Sequence, residues 1–273
     1  MNNVSPEIKA LLRQFSFIRI LIFFAASVLS VLALAIFQLS MVSLFIICAL
    51  FICSSFLIKV HFSSYRNILK KECNPKKYAY FYNELSKKMK NQNEIRACYF
   101  EVATGLYYIG DAQWTLNYLG SHLPEKFIDI PDQPAYYNLI ANCYYKLNNR
   151  QQMEEVKEKV KSILSSNPPK SVIQSINYSL VNIDFCLALF DNSLDKAKEL
   201  LNRIYVPSVS SPKGMPPYQT VAMSYSYGLL ALKQGDYTKA KEHFNFVVQN
   251  GNSLYYVTEA KQMLIDIANA TQN

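Results

Sequence analysis

Glycine is scarce in this sequence, with only 7 glycines among 273 residues. The chain contains no Gly-x-Gly-x-x-Gly segment and no Walker loop, which excludes the glycine-rich loops that bind phosphate in nucleotide enzymes. Gly-x-Ser-x-Gly and His-Glu-x-x-His motifs are absent as well. The three histidines, His61, His122 and His243, lie far apart in the sequence. We therefore expect a protein that is not an enzyme, with no catalytic residue, no cofactor and no metal site.

Charged residues are missing from one long segment. Between Ile20 and Ile58 there is no Asp, Glu, Lys, Arg, His, Gly or Pro, and 32 of these 39 residues are apolar. A helix crosses a bilayer with about 20 residues, so this segment is long enough for two spans. We predict spans at 20–37 and 41–58, joined by a turn around Gln38-Leu39-Ser40. A cleaved signal peptide fits less well, because its apolar region is limited to about 15 residues.

Basic residues flank this hairpin on both sides, and its turn carries none. By the positive-inside rule, both chain ends lie in the cytoplasm, and we expect a two-span protein of the cell membrane (plasma or inner). Residues 1–77 hold nine basic and two acidic residues, whereas residues 78–273 hold nineteen and eighteen. Most of the net charge of +8 therefore comes from the residues that flank the hairpin and determine its orientation in the membrane. The flanking basic residues are Lys9, Arg13, Arg19, Lys59, Arg66, Lys70, Lys71, Lys76 and Lys77.

Two local features of the hairpin region leave alternatives open. The cytoplasmic N-terminal segment, 1–19, has an apolar face, and we expect it either to lie as a short helix on the membrane surface or to be frayed. The small residues Ala26 and Ser30 are spaced for close helix packing, either within the hairpin or between two copies of the chain.

A segment near the end of the chain, 218–252, predicts two helices joined by a turn at Gln234-Gly235-Asp236. Gly228 and Ala240 fall where the helices would cross closely, and Phe244 would fill the groove between them. This segment resembles a tetratricopeptide repeat, and it departs from that family at Ala231 and Asn252, where the family has an aromatic residue and a proline. The residues that match the family pattern are Gly228, Gly235, Asp236, Tyr237, Ala240 and Phe244.

Weaker copies of the same pattern lie upstream, with turns at Gly110-Asp111, Asn148-Asn149 and Asn192-Ser193. In the third copy, Ala197 and Leu201 match the small residue and the groove-filling residue. The turns are spaced by 38, 44 and 43 residues, longer than the 34 of the family repeat. The expected fold is all-α: the membrane hairpin, a basic juxtamembrane segment with a linker helix at 59–93, then a degenerate tetratricopeptide-like solenoid of about four helical hairpins with a capping helix at 94–273. An unrelated helical bundle is the alternative.

The resemblance implies a concave groove, lined by the first helix of each hairpin, that binds a protein or a peptide. Asparagine amides suit a peptide backbone, and tyrosines add apolar area with a polar tip. The basic residues with which some family members bind a C-terminal carboxylate are missing, so that activity is not carried over. The groove residues expected from the resemblance are Asn138, Asn142, Tyr145, Asn182 and Tyr225.

Only two acids, Glu101 and Asp184, fall inside the first helices, and we expect structural partners for them rather than acid–base catalysis. The expected function is a membrane-anchored cytoplasmic scaffold that recruits a protein or peptide partner. The first alternative is a structural or assembly subunit of a larger membrane complex. The second is an RNA adaptor, but the lysines between residues 157 and 170 are interleaved with glutamates, which favours a solvated helix face.

Overall fold

The computed structural model describes residues 5–37, 40–209 and 215–271, and all of the regular structure in these ranges is helical. Two compact units are present: a hairpin unit, residues 1–67, and a helical unit, residues 68–273. The prediction of an all-α fold, in which an apolar helical hairpin precedes packed helical pairs, is confirmed.

The hairpin unit consists of two long antiparallel helices, α1 (Pro6–Phe37) and α2 (Met41–Ser64). The predicted turn includes Gln38 and Leu39, which lie outside the described residues. Ser40 caps α2: its hydroxyl accepts a hydrogen bond from the Ser43 amide at 3.3 Å, and the Ser43 hydroxyl accepts one from the Ser40 amide at 3.2 Å. This capping box satisfies amide groups that the first helical turn leaves unpaired.

The N-terminal segment differs from both expectations, because α1 begins at Pro6 and continues without a break into the apolar segment. Ile8, Leu12 and Phe15 on its first turns are buried. The Phe15 ring stacks on His61, with 5.4 Å between ring centroids, and meets Tyr65 edge-on at 5.8 Å. The apolar face of this segment therefore packs against the end of α2, which keeps the segment helical.

Small side chains form the seam of the hairpin. On α1, Ala26, Ser30 and Ala33 are buried, and the Ser30 hydroxyl donates to the Ala26 carbonyl at 2.8 Å. On α2, Ser43 and Ser54 are buried. Large apolar side chains lie on the outer faces, and both helices are long and apolar enough to cross a membrane. A third helix, Lys170–Phe190, also meets this length and composition criterion, but half of it is buried in the helical unit.

The helical unit is a series of helices that pack against their neighbours in sequence. A four-residue helix, α3 (Asn67–Lys70), leads into it, and a short 3₁₀ turn, Glu125–Phe127, follows the sixth helix. The remaining helices are α4 (Pro75–Ser86), α5 (Gln92–Ile109), α6 (Ala112–His122), α7 (Gln133–Lys146), α8 (Arg150–Leu164), α9 (Lys170–Phe190), α10 (Leu194–Val209), α11 (Pro217–Lys233), α12 (Tyr237–Asn250) and α13 (Tyr255–Ala270).

Helix α4 is the linker helix expected from the sequence, but it belongs to the packed unit. A Cβ atom placed on Gly105 of α5 would lie 2.7 Å from the Ala79 Cβ of α4, so the two helices touch backbone to backbone. Tyr78, Phe81 and Tyr82 of α4 are fully buried. The compact unit therefore starts at residue 68, earlier than the domain boundary at 93/94 that the sequence pattern indicates.

Four helix–helix turns share one backbone geometry. One or two residues after the end of the first helix, the backbone has a left-handed φ: 109° at Gly110, 55° at Asn148, 53° at Asn192 and 76° at Gly235. Glycine and asparagine adopt this conformation at the least cost. In three turns, the side chain of the next residue caps the second helix by accepting a hydrogen bond from the backbone N–H three residues further on. These caps are Asp111, Asn149 and Asp236, at 2.8, 3.1 and 3.1 Å.

Helices α11 and α12 cross closely at Gly228. A Cβ on Gly228 would lie 2.7 Å from the Phe244 Cε1, so the ring packs directly on the glycine. Phe244 and Ala240 are completely buried. In the preceding pair, Ala197 and Leu201 of α10 are completely buried too. In the last turn, Tyr237 follows the Asp236 cap and is 40% exposed.

The last helix caps the series and also returns to its beginning. Helix α13 packs on α12 and contacts α5, where the Tyr107 and Tyr255 hydroxyls are hydrogen-bonded at 2.9 Å. In the turn before α13, the Asn252 side chain donates to the Glu72 carbonyl at 2.7 Å, and the Ser253 amide donates to the Cys73 carbonyl at 3.4 Å. The last helix and the turn before it therefore contact the first helices of the unit, which the sequence pattern does not indicate.

Candidate functional site

Three predicted groove residues meet in one amide cluster, defined here as Asn138 and Asn142 of α7 with Asn182 of α9. The Asn182 amide nitrogen donates to both the Asn138 and the Asn142 Oδ1 atoms, each at 2.9 Å. All three side chains are half-buried. Within the described residues, the cluster makes no other hydrogen bond, which leaves the Asn138 and Asn142 amide groups as donors and the Asn182 carbonyl as an acceptor.

Two tyrosines lie on the same pair of helices as the amide cluster. Tyr145, one turn after Asn142, is half-buried and packs edge-on against the Phe190 ring at 5.2 Å between centroids. Tyr178, one turn before Asn182, is 49% exposed. Burial raises the pKa of the Tyr178 hydroxyl, and the nearby Tyr218 of α11 raises it further.

Tyr225, the fifth predicted groove residue, is only 8% exposed, and its hydroxyl donates to Glu259 of α13. Burial and the Glu259 charge both raise the pKa of this hydroxyl. Glu259 also accepts an ion pair from Lys146 of α7 at 2.6 Å, and the Lys146 ammonium lies 3.3 Å from the centre of the Tyr255 ring. Helix α13 thus covers this part of the predicted groove and ties α7 to α11.

A tyrosine cluster extends this closed region to α5. Tyr107 and Tyr108, at the end of α5, face Tyr255 and Tyr256 of α13, with centroid distances of 5.5 Å for the pair Tyr107–Tyr255 and 6.1 Å for the pair Tyr108–Tyr256. Tyr218 of α11 meets Tyr108 edge-on at 6.0 Å. Burial raises the pKa of the first four hydroxyls well above the usual range, so they stay neutral donors at physiological pH.

The two acids of the first helices each have a structural partner. Glu101 is buried and accepts a hydrogen bond from the Tyr78 hydroxyl of α4. Asp184 forms an ion pair with Lys157 of α8 at 2.5 Å. Each acid thus joins its helix to a neighbouring one, which agrees with the structural role expected from the sequence.

The four cysteine thiols of the helical unit are buried. Burial raises the pKa of Cys98, Cys143 and Cys186 to about 12, so the thiolate is rare at neutral pH. Across the described residues, no group of three or more His, Cys, Asp or Glu side chains is arranged to hold a metal ion.

The candidate site is therefore the open face of α7 and α9, formed by the amide cluster with Tyr145 and Tyr178. Reasoning from the sequence found four of these five residues and missed Tyr178, whose four-residue spacing from Asn182 puts it on the same helix face. It also missed Lys146 and Glu259, because their pairing depends on the return of α13 to α7.

We compared the chain with models of known protein families, with curated proteins and with solved structures, and found no match.

Proposed function

We propose that this protein is a membrane-anchored cytoplasmic scaffold, in which the hairpin unit spans the bilayer and the open face of α7 and α9 binds a protein or peptide partner. The observation that carries the proposal is the amide cluster, whose unused donors and acceptor lie half-exposed beside two tyrosines. Asparagine side chains in such an arrangement can pair with the N–H and C=O groups of an extended polypeptide.

The surface of the hairpin unit supports membrane insertion. Side chains on its outer faces are both large and apolar: Phe24 is 67% exposed, Phe45 76% and Ile52 70%. An apolar surface of this extent is unfavourable in water and is typical of helices that face lipid. The distribution of flanking basic residues supports cytoplasmic ends and a cell-membrane location.

Two features support the interpretation of the helical unit as a series of tetratricopeptide-like repeats. The four turns share their left-handed residue and mostly their capping residue, as expected for a repeated unit. The contact between Gly228 and Phe244 is the small-residue and aromatic pairing that the family pattern requires. Repeated helical pairs expose an extended binding surface, which is the property that the proposed scaffold uses.

The charge distribution on α8 favours protein binding over RNA binding. Lys157 pairs with Asp184, Lys159 with Glu125 at 2.7 Å, and Lys161 with Glu158 at 2.7 Å. Lysines that are already neutralised contribute little to phosphate binding.

The alternative of an assembly subunit requires a different contact surface from the scaffold, because its partners would contact the spans rather than the α7–α9 face.

Photo-crosslinking in cells tests the proposed binding face. A photo-reactive amino acid at Asn142 should give a discrete crosslinked adduct in the membrane fraction, because this position faces the expected ligand. The matched control is Glu155 on α8, which is exposed but lies on the outer helix of the pair. Adding Asn182→Leu should reduce the Asn142 adduct by about tenfold, the effect of losing roughly one to two hydrogen bonds.

The crosslinking result can contradict the proposal in two ways. Equal adducts from Asn142 and Glu155 would indicate non-specific collision. If Asn182→Leu leaves both the helical content and the Asn142 adduct unchanged, the amide cluster does not contribute to partner binding. Crosslinks only from positions in the spans would favour the assembly-subunit alternative.

A reporter tests the proposed orientation separately. An enzyme that is active only in the cytoplasm, fused after Asn273, should be active, because the basic residues on both sides of the hairpin retain the ends in the cytoplasm. The same fusion carrying Ala26→Arg and Ala33→Arg should leave the membrane fraction, since each arginine near the centre of a span costs about 2.5–3.5 kcal/mol. A reporter that is active only outside the cytoplasm would overturn the orientation.

A further inference from the structure

The positive charge of the helical unit is concentrated at its start. Residues 68–91, which include most of α3, all of α4 and the turn after it, hold seven lysines and two acids. Residues 92–273 hold sixteen basic and seventeen acidic residues. The remainder of the unit is therefore electrically balanced, and the segment around α4 carries the excess.

Ion pairs occur in both parts of the helical unit. Beyond residue 92, most basic residues of α7 and α8 are neutralised by an acid from another helix or from the next turn. Around α4, Lys77 pairs with Glu72 and Lys87 with Glu84. Five lysines of this segment have no acidic partner within the described residues: Lys70, Lys71, Lys76, Lys88 and Lys90.

Lysines at the two ends of helix α4 lie on the side opposite to its buried face. Its apolar face, with Tyr78, Phe81 and Tyr82, is fully buried. Lys76 on its first turn and Lys87 at its C-cap are exposed. They are eleven residues apart, close to three complete turns, so they lie on the same side of the helix about 16 Å from each other. Lys70 and Lys71 precede α4 in the chain, and Lys88 and Lys90 follow it. Together with Lys76 and Lys87, we call this set the α4 lysine face.

We propose that the α4 lysine face binds the acidic headgroups of the membrane in which the hairpin unit is anchored. The inference rests on the proposed function, since it requires the hairpin to be inserted. Two observations favour a lipid surface over RNA. The face is a single short stripe, and it has no group of exposed aromatic rings on which bases could stack. Pro75, the first residue of α4, also follows the last residue of α2 by only eleven residues. Clusters of four to eight basic residues immediately after a span are typical of binding to anionic lipids.

Amine labelling of the full-length protein in nanodiscs tests this proposal. The protein is reconstituted either in phosphatidylcholine alone or in phosphatidylcholine mixed with phosphatidylglycerol, labelled with a water-soluble amine reagent, and analysed by mass spectrometry. Labelling of Lys76, Lys88 and Lys90 should fall about fivefold in the anionic discs, because each lysine at an anionic surface gains an attraction of about that factor. High salt should restore the labelling.

Internal and matched controls make the result specific. Lys233 and Lys261 are exposed and lie far along the chain, and their labelling should be the same in both lipids. A triple variant, Lys76→Gln, Lys87→Gln and Lys88→Gln, should weaken the protection that remains at Lys71 and Lys90. Glutamine preserves the length and polarity of the face and removes only its charge.

Each outcome has a defined meaning. If the protein enters nanodiscs but its labelling does not depend on the lipid, the lysine face does not bind acidic headgroups, and the proposed membrane anchor is unaffected. A chain that does not enter nanodiscs overturns the anchor and, with it, the lysine face. Protection by added RNA in neutral discs, without protection by phosphatidylglycerol, overturns the lipid proposal in favour of RNA.

Discussion

Phe244→Ala is expected to lower the free energy of unfolding of the helical unit by about 3–5 kcal/mol, the cost of deleting a fully buried aromatic ring. The ring fills the crossing of α11 and α12 and leaves no room at Gly228 for even a methyl group. Chemical denaturation of the full-length protein in detergent, followed by circular dichroism, measures the change. Phe246→Ala is the matched control: this side chain is on the same helix but 36% exposed, so its loss should cost well under half as much.

Gly228→Ala, a second substitution at the same crossing, is expected to change stability in opposite directions in the natural chain and in the Phe244→Ala variant. Gly228→Ala should destabilise the natural chain by about 1–3 kcal/mol, since its methyl group overlaps the Phe244 ring. In the Phe244→Ala background the same change should stabilise by up to about 1 kcal/mol, because alanine favours the helix more than glycine does. Equal effects in both backgrounds would show that the ring does not pack on Gly228.

Tyr255→Ala should cost the helical unit about 3–5 kcal/mol as well, because it opens the contact between the last helix and α5. The substitution removes the hydrogen bond to Tyr107 and the ring beneath the Lys146 ammonium. Tyr255→Phe keeps the ring and loses only the hydroxyl partner, so it should cost about 1 kcal/mol. Thermal unfolding of the full-length variants separates the two.

Tyr178→Ala is the control for this comparison. It removes the same kind of side chain from a position that is 49% exposed, and it should change the unfolding temperature little. If Tyr255→Ala were as mild as Tyr178→Ala, the contact between α13 and α5 would contribute nothing to stability, and the unit would behave as an open stack.

Local signals account for the part of the fold that the sequence predicts well. Gly110, Asn148, Asn192 and Gly235 mark their turns because glycine and asparagine tolerate a left-handed backbone. A run of 39 residues without charge predicts two spans because it exceeds what one span needs. Both inferences need only neighbouring residues, and both agree with the helices of the structure.

Contacts between distant residues account for the differences. The first turns of α1 are helical because Phe15 packs against His61 and Tyr65 at the far end of α2. The sequence of residues 1–19 alone gives no sign of these contacts. At the candidate site, the repeat register assigns Asn138, Asn142 and Asn182 to two first helices, and the structure joins the three by hydrogen bonds. The same register cannot place Glu259 beside Lys146, because small rotations between successive pairs add up before α13 returns to α7.

The return of α13 also determines how the helical unit gains and loses its structure. A linear array has two ends, and its terminal repeats can fray independently of the middle. Here the hydrogen bond between Tyr107 and Tyr255 joins residues 148 positions apart, and that between Glu72 and Asn252 joins residues 180 positions apart. Contacts of such long range slow folding, because the chain must close a large loop before they form. Once formed, they leave no terminal pair from which unfolding can start, so amide hydrogens at both ends of the unit should exchange together, at the rate of global opening.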